Sequence, residues 1–178
     1  LELARPETGR VAMVTQQSWM FLRSFADLRA LDEEKLKKAK GFTGILRETS
    51  IETLAHLGEH AFQDSSAAGA FVVLFTLAKT PLKTDHRLTA FRLIGPKSPE
   101  EKDFVLQQAI KAESSSDKTK PKQSHMVKII DSPLVYWARP YFLEILSGQS
   151  RLRDIADVKQ GLATGDNNRF IRQFWETS

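Results

Sequence analysis

The stretch AFVVLFTL at residues 70–77 is continuously apolar and rich in Val and Phe. The small and polar run SSAAG at residues 65–69 precedes it and interrupts regular structure. An apolar run of this composition behind a turn signal predicts a β-strand. Because all of its side chains except that of Thr76 are apolar, we expect neighbouring strands to flank it on both sides. Residues 70–77 are therefore taken as the centre of a sheet.

The segment before this strand predicts a second strand followed by helices. VAMVT at residues 11–15 is unbroken and β-branched, which predicts a parallel strand buried on both faces. Ser18 can cap a helix over residues 18–31, whose apolar residues recur at helical spacing. A basic stretch at residues 35–40 predicts a further helix, ended by Gly41. A strand that leads into a helix indicates the α/β class.

Three other segments complete the expected fold. Residues 51–57 suit a strand better than a helix, and residues 87–94 alternate in part and predict another strand. Residues 99–112 predict a helix, with two glutamates at its N-terminal end. We expect residues 11–15, 51–57 and 70–77 to share one sheet, with the helix over residues 18–31 packed on it.

The composition changes sharply after residue 112. ESSSDKTKPKQS at residues 113–124 has no apolar side chain, so it cannot bury enough surface to offset the entropy of ordering. Beyond it, apolar clusters lie on both sides of Pro140, and a new pattern begins near residue 150. We therefore divide the chain into residues 1–112, a flexible linker at 113–130 and the start of another domain at 131–178.

The composition excludes several classes of protein. The chain has 178 residues, of which 41% are hydrophobic and 27% charged, with a net charge of +4. No apolar run approaches the roughly 20 residues that span a bilayer, so we expect no membrane association. The absence of cysteine excludes disulfides, thiolate zinc sites and cysteine nucleophiles. The first residues, LELARP, contain neither an initiator Met nor the apolar segment of a signal peptide. We expect a fragment of a cytoplasmic protein.

Residues 56–60, HLGEH, match the pattern H-x-x-E-H. In one class of zinc peptidases two such histidines lie one helical turn apart and bind the metal, while the glutamate acts as the base. Gly58 opposes this reading, because a glycine within a helix costs about 1 kcal/mol relative to alanine. The alternative is the end of a strand that runs into a loop and carries two ordinary polar histidines.

Two further features have a structural and a functional interpretation. GLATGDNNRF at residues 161–170 offers glycines, a hydroxyl, amides and a cation, which suits either contact with nucleic acid or a plain turn. It is neither a P-loop nor a dinucleotide-binding fingerprint. Phe62 follows an apolar strand, where an aromatic side chain is either a core residue or a surface for stacking on a base.

Three segments together resemble the latter half of gamma-class adenine-specific DNA methyltransferases, above all the type IIG and BREX-type phage-resistance enzymes. They are GRVAMVTQQSW at residues 9–19, FADLR at 25–29 and LGEHAF at 57–62. The loop from Lys159 to Phe170 is similar to the G-x-x-T-G-x-N-x-x-F stretch that opens the target-recognition region of the same enzymes. The resemblance extends over nearly the whole chain and is weakest from residue 79 to residue 130.

The resemblance implies a fold and the roles of particular residues. The fold is the C-terminal half of a Rossmann-like methyltransferase sheet, in which the strand at 70–77 enters antiparallel, followed by a linker and the start of a target-recognition domain. Phe62 would stack on the extruded target adenine. The residues that would contact DNA are Lys159, Gly161, Thr164, Gly165, Asn167, Asn168 and Arg169.

The resemblance also implies what this chain lacks. Enzymes of the family use a glycine-containing loop that binds S-adenosylmethionine and an Asn-Pro-Pro-Tyr catalytic loop, and neither is present here. The chain therefore has no catalytic residue and binds no cofactor by itself, and we expect it to be inactive without the missing N-terminal half. Its expected partners are that half and DNA. The alternatives are a catalytically empty DNA-binding or interaction module and a zinc hydrolase.

Overall fold

A five-stranded sheet with the order β1-β3-β2-β4-β5 forms the centre of the computed structural model. The model describes residues 4–6, 8–64, 67, 69–148 and 156–157. The chain divides into a unit of residues 1–148, to which the sheet belongs, and a second unit of residues 149–178. The strands are β1 (Arg10–Gln16), β2 (Ser50–Gly58), β3 (Val72–Ala78), β4 (Thr89–Arg92) and β5 (Lys118–Thr119). The helices are α1 (Ala26–Arg29), α2 (Glu33–Lys38), α3 (Ile45–Glu48), α4 (Pro99–Lys111), α5 (Gln123–Lys128) and α6 (Pro140–Gly148).

Strand β3 lies between β1 and β2 and is antiparallel to both, as we expect of residues 70–77. Strand β4 is parallel to β2, and β5 is antiparallel to β4. The three segments 11–15, 51–57 and 70–77 therefore share one sheet, which confirms that prediction. The observed fold is a mixed α/β arrangement.

Strand β1 differs from the expected buried parallel strand. It pairs with β3, and its outer edge has no partner strand among the described residues. Met13 is half-exposed, and the Val14 side chain is 58% exposed. An apolar, β-branched run favours a strand over a helix, but it does not show how many strands pair with it. The prediction of a parallel strand buried on both faces is therefore wrong.

The helix expected over residues 18–31 is broken into short pieces. Residues 17–20 and 23–25 form 3₁₀ turns before α1, and the backbone at Leu22 is extended. The buried Arg29 guanidinium donates to the carbonyls of Trp19 and Leu22 at 2.6 and 2.8 Å. In a continuous α-helix those carbonyls would accept from backbone N–H groups four residues later. Here the Trp19 carbonyl accepts from Arg29, and the Leu22 carbonyl accepts from Arg29 and from the Phe25 N–H three residues later, so the helix prediction is wrong.

Other elements cover one face of the sheet and part of the other face. On one face, the apolar side chains of β2, β3 and β4 pack against residues of the first 3₁₀ turn, α3 and α5, together with Leu134 and Tyr136. On the other face α4 packs through Val105, Leu106 and Ala109 onto β2 and β4. The β1 side of this second face forms an open apolar groove of about 360 Å³. No described helix is long and apolar enough to cross a membrane.

Residues 113–124 form ordered structure where we expect a flexible linker. They contain β5, which pairs with β4, and the first residues of α5. The fully buried Gln123 accepts from the Ile51 N–H at 2.8 Å and donates to the carbonyls of Leu46 and Thr49 at 3.0 and 2.8 Å. The segment is held by side-chain-to-backbone hydrogen bonds, which an argument based on apolar burial alone does not include.

Helix α4 is fixed to the sheet by a buried lysine. Ser98 caps the helix by accepting from the Glu101 N–H at 3.2 Å, and Pro99 occupies the first turn. The Lys102 ammonium donates to the carbonyls of Leu57, Leu93 and Pro96 at 2.7, 2.6 and 2.9 Å. These carbonyls belong to the ends of β2 and β4 and the loop that follows β4. Burial lowers the pKa of Lys102, and Lys97 lowers it further.

We predict that Lys102→Met destabilises the chain by about 1–3 kcal/mol, because three buried carbonyls lose a donor while the side chain keeps a similar length. Urea unfolding followed by circular dichroism measures the change in the free energy of unfolding. The control is Lys111→Met, which makes the same replacement at the exposed end of the same helix. Equal free energies of unfolding in the two variants would contradict the assignment of Lys102 as the anchor of α4.

Candidate functional site

The carboxyl ends of three strands meet at one edge of the sheet. Strands β1 and β2 are both antiparallel to β3, and β4 is parallel to β2, so β1, β2 and β4 run in the same direction. In open α/β sheets, ligands bind outside the carboxyl ends of such strands. The segments that leave these ends therefore form the region where a ligand site is expected.

A polar cavity of about 230 Å³ lies at this edge. It is lined by Gln17, His56, Gly58, Glu59, His60, Phe71, Ile94 and Lys97. This volume is below the roughly 300–1,000 Å³ of pockets for drug-sized molecules, so it suits a small ligand. The larger groove beside β1 is lined almost entirely by apolar side chains. The cavity, where a carboxamide, an aromatic ring and titratable groups converge, is therefore the better candidate for chemistry.

The ring of His56 links Gln17 in the cavity wall to the buried Tyr136. Its Nδ1 lies 2.8 Å from the Tyr136 hydroxyl, and its Nε2 is hydrogen-bonded to Oε1 of Gln17. A carboxamide oxygen only accepts hydrogen bonds, so Nε2 carries the proton and donates it. The Nδ1 atom is then the acceptor for the Tyr136 hydroxyl. His56 is thus a neutral imidazole with both ring nitrogens bonded.

The electrostatics of the site agree with this neutral ring. Burial lowers the pKa of His56 to about 4, with smaller contributions from the cations Arg92 and Lys102. Burial raises the pKa of the Tyr136 hydroxyl. Both groups are therefore uncharged at neutral pH, and they act here as hydrogen-bonding groups rather than as charges.

An aromatic cluster lies next to His56. The centre of the Phe21 ring is 5.9 Å from that of His56 and 5.5 Å from that of Trp137. Trp137 contacts Tyr136 edge to face, with ring centres 5.0 Å apart. Trp137 remains 42% exposed. The edge of the sheet thus offers an aromatic surface to solvent as well as a polar cavity.

Phe62 lies on the segment that leaves β2. Its side chain is 43% exposed, so the ring is not part of the core. The adjacent Gln63 donates from Nε2 to a carboxylate oxygen of Glu100 at 3.0 Å, which ties this segment to the start of α4. The exposure of Phe62 agrees with our expectation for a stacking residue. The stacking itself stays a prediction.

The predicted DNA-contacting loop lies outside the described residues. This applies to Lys159, Gly161, Thr164, Gly165, Asn167, Asn168 and Arg169. Their assignment rests on the sequence alone and stays a prediction.

The H-x-x-E-H pattern does not form a zinc site. His56 belongs to strand β2, and the chain turns away after it through positive φ angles of 65° at Gly58 and 57° at His60. A helix that presents both histidines on one face is therefore excluded. Within the described residues, no three His, Asp or Glu side chains come together as a metal site would require. The zinc alternative has no support.

Sequence reasoning missed the group formed by Gln17, His56 and Tyr136. Their contacts join residues that are 39 and 80 positions apart in the chain. No local pattern of spacing reports such a contact. The signal that was present is a histidine within the apolar second half of β2, Leu54 to Leu57, which indicates a buried polar group that needs partners.

Comparisons with known proteins show that the chain is related to adenine-specific methyltransferases, which confirms the resemblance inferred from the motifs. One relative is the adenine-specific methyltransferase PglX of Lacticaseibacillus casei (strain Zhang), which is 32% identical over 171 residues. The match covers 96% of this chain and 13% of the relative. The chain therefore spans about an eighth of the length of that protein. No family model matches the chain.

Two solved structures resemble the fold in part. One is the modification subunit assigned to a type I restriction enzyme of Vibrio vulnificus YJ016, with a TM-score of 0.49 and 17% identity. It matches 82% of this chain and 31% of that one. The other comes from a type I restriction–modification system, with a TM-score of 0.45 and 13% identity. It matches 75% of this chain and 28% of that one.

We predict that His56 makes the stability of the chain depend on pH. The pKa of His56 falls from its ordinary 6.5 to about 4 on folding. Between these values the unfolded chain binds more protons than the folded chain, so the free energy of unfolding decreases as the pH is lowered from 6.5 toward 4. Thermal unfolding across this range measures the effect as a falling melting temperature.

The variant His56→Gln separates this effect from the titration of carboxylates. We expect it to lower the stability at neutral pH, because a buried hydrogen-bonding group is replaced. Its melting temperature then falls less between pH 6.5 and pH 4 than that of the unaltered chain, because the titrating imidazole is gone. His60→Gln, at a partly exposed histidine of the same cavity, serves as the control. A decline as steep in His56→Gln as in the unaltered chain would refute the assignment.

Proposed function

We propose that this chain is part of an S-adenosylmethionine-dependent, adenine-specific DNA methyltransferase of a restriction–modification or phage-defence system. Within that enzyme it contributes contacts to the target base and to DNA. The observation that carries the proposal is the 32% identity with an adenine-specific methyltransferase over 96% of the chain. The geometry at the carboxyl edge of the sheet supports it.

Chemistry on a base in duplex DNA requires the base to leave the helix. The extruded base is held by hydrogen bonds to its edge and by stacking between flat side chains. The carboxyl edge has features of both kinds. The cavity lined by Gln17 and Phe71 supplies polar and aromatic groups, and the exposed rings of Phe62 and Trp137 are available for stacking.

Methyl transfer needs groups that this chain does not contain. When bound, S-adenosylmethionine supplies the methyl group to the adenine amine. We assign its binding and the catalytic loop to another part of the longer protein, as the 13% coverage of the relative permits. The role of this chain is then to hold the base while the rest of the enzyme reacts with it. We assign DNA recognition to the loop from Lys159 to Phe170.

Replacement of Phe62 tests this function in the longer protein that carries the cofactor and catalytic motifs. We predict that Phe62→Ala weakens binding or turnover of target DNA by about 1–3 kcal/mol, the usual contribution of stacking on one base. The melting temperature stays nearly unchanged because the ring is 43% exposed. Phe62→Trp retains most of the activity, since it keeps a flat aromatic surface.

The matched control is Phe42→Ala, which removes a ring that is 46% exposed in the loop before α3. Methylation of a target duplex and differential scanning calorimetry measure the two effects. If Phe62→Ala unfolds the protein and leaves methylation by the remaining folded fraction intact, Phe62 is a structural residue and its assigned role is wrong.

The isolated chain tests the division of labour. We predict that it neither binds S-adenosylmethionine nor methylates DNA, whereas the longer protein does both. Isothermal titration calorimetry with the cofactor and a methyl-transfer assay measure these properties. Micromolar binding of the cofactor to the isolated chain would contradict the assignment of cofactor binding to another segment.

A further inference from the structure

We propose that Gln17 determines specificity for the target base, because its amide nitrogen donates a hydrogen bond to a ring nitrogen of the extruded adenine in the carboxyl-edge cavity. His56 and Tyr136 are positioning residues that orient the Gln17 carboxamide. This inference rests on the proposed function. It adds the atom that reads the base and the group that holds that atom in place.

The direction of the hydrogen bonds follows from the burial of Tyr136. Its side chain is 1% exposed, and among the described residues its hydroxyl is bonded only to Nδ1 of His56. A buried hydroxyl hydrogen needs an acceptor, so Tyr136 donates to Nδ1. Nε2 of His56 must then carry the ring proton and donate to Gln17. If both hydrogen bonds ran in the opposite direction, the hydroxyl hydrogen of Tyr136 would have no acceptor.

This direction decides what Gln17 presents to the cavity. Its oxygen is occupied by the Nε2 proton of His56, so turning the amide over would bring two donors together. The amide nitrogen makes no hydrogen bond to any residue that the structure describes, and Gln17 lines the cavity. The cavity therefore receives a donor whose orientation is fixed by two buried side chains.

A donor in this position suits the chemistry of the proposed reaction. Adenine has acceptors at N1, N3 and N7 and a donor at its N6 amine. A hydrogen bond from Gln17 to a ring nitrogen identifies the base and leaves the lone pair of the N6 amine free to react. An oxygen atom facing the base would instead accept a hydrogen bond from the N6 amine. The oxygen of Gln17 is not available for this, because it already accepts from His56.

The cavity is also lined by an aromatic ring and by the titratable groups of Glu59, His60 and Lys97. Phe71 is half-exposed and offers a flat apolar wall. Nε2 of His60 lies 3.9 Å from a carboxylate oxygen of Glu59, and both side chains remain partly exposed to solvent. The volume of about 230 Å³ has room for a small planar ring.

The test uses the longer methyltransferase and target duplexes that contain adenine, 1-deazaadenine, 3-deazaadenine or 7-deazaadenine at the methylated position. Each analogue replaces one acceptor by a C–H group. Gln17→Glu is the informative variant, because its carboxylate still accepts from His56 but has no donor for the base. We expect it to bind and methylate the adenine duplex about ten- to a hundredfold less well, the usual loss for one hydrogen bond in a closed site.

The result that identifies the contact is a lack of additivity. One of the three analogue duplexes lacks the acceptor that Gln17 contacts, and the unaltered enzyme binds it more weakly than the adenine duplex. Gln17→Glu binds that analogue duplex no more weakly than the unaltered enzyme does. For the other two, the losses multiply. Gln16→Glu, which makes the same change at the exposed neighbouring residue, is the control and leaves the pattern of the unaltered enzyme.

Tyr136→Phe tests the positioning role. It removes the donor to Nδ1 and keeps the buried ring, so the carboxamide of Gln17 is free to turn over. We expect it to reduce the dependence on the same analogue that Gln17→Glu identifies, an effect that a general loss of stability does not produce. Its melting temperature reports the structural cost separately.

Two outcomes overturn the inference and differ from each other. In the first, the unaltered enzyme methylates adenine, but Gln17→Glu either lowers binding by the same factor on all four duplexes or does not lower it. Gln17 then does not contact the ring, and this inference alone is wrong. If the unaltered enzyme does not methylate adenine in DNA, the proposed function is wrong, and the inference fails with it.

Discussion

Strand β3 fills the space between β1 and β2, and the position of the polar cavity depends on this pairing. Neighbouring strands lie about 4.8 Å apart, so β1 and β2 are separated by roughly 10 Å. The backbone N–H of Gln17 remains bonded to the Phe71 carbonyl just before β3, at 2.8 Å. The long side chain of Gln17 extends from there to His56 on β2. An antiparallel β3 thus brings together groups from two strands that never pair.

Buried polar side chains connect the elements that surround this sheet. Arg29, Lys102 and Gln123 are each almost completely buried, and each donates to backbone carbonyls at the ends of elements or in loops. Arg29 reaches the Asp131 carbonyl at 2.7 Å, across 102 positions of sequence. Since carbonyls at such ends lack partners within their own element, one long polar side chain satisfies several of them and fixes the packing angle.

The strands that form because of their apolar side chains could be predicted from the sequence. Residues 51–57 and 70–77 are strands because their side chains suit a buried sheet, whatever they contact. The helix over residues 18–31 and the linker at 113–124 were predicted wrongly, because Arg29 and Gln123 form bonds with residues distant in sequence. The exposure of Phe62 agrees with the role that the family resemblance implies, whereas its place after a strand left a core position open. The contact between His56 and Tyr136 could not be predicted, since 80 residues separate them.

The outer edge of β1 leaves a row of backbone N–H and C=O groups unpaired among the described residues. Met13 and Val14 add exposed apolar surface along the same strand, and Arg10 places a charge only at its beginning, where it binds Glu52 at 2.8 Å. Such an edge is a template for strand addition. Since β1 ends the sheet, it is the strand at which a further β-strand from another chain could pair with the described structure.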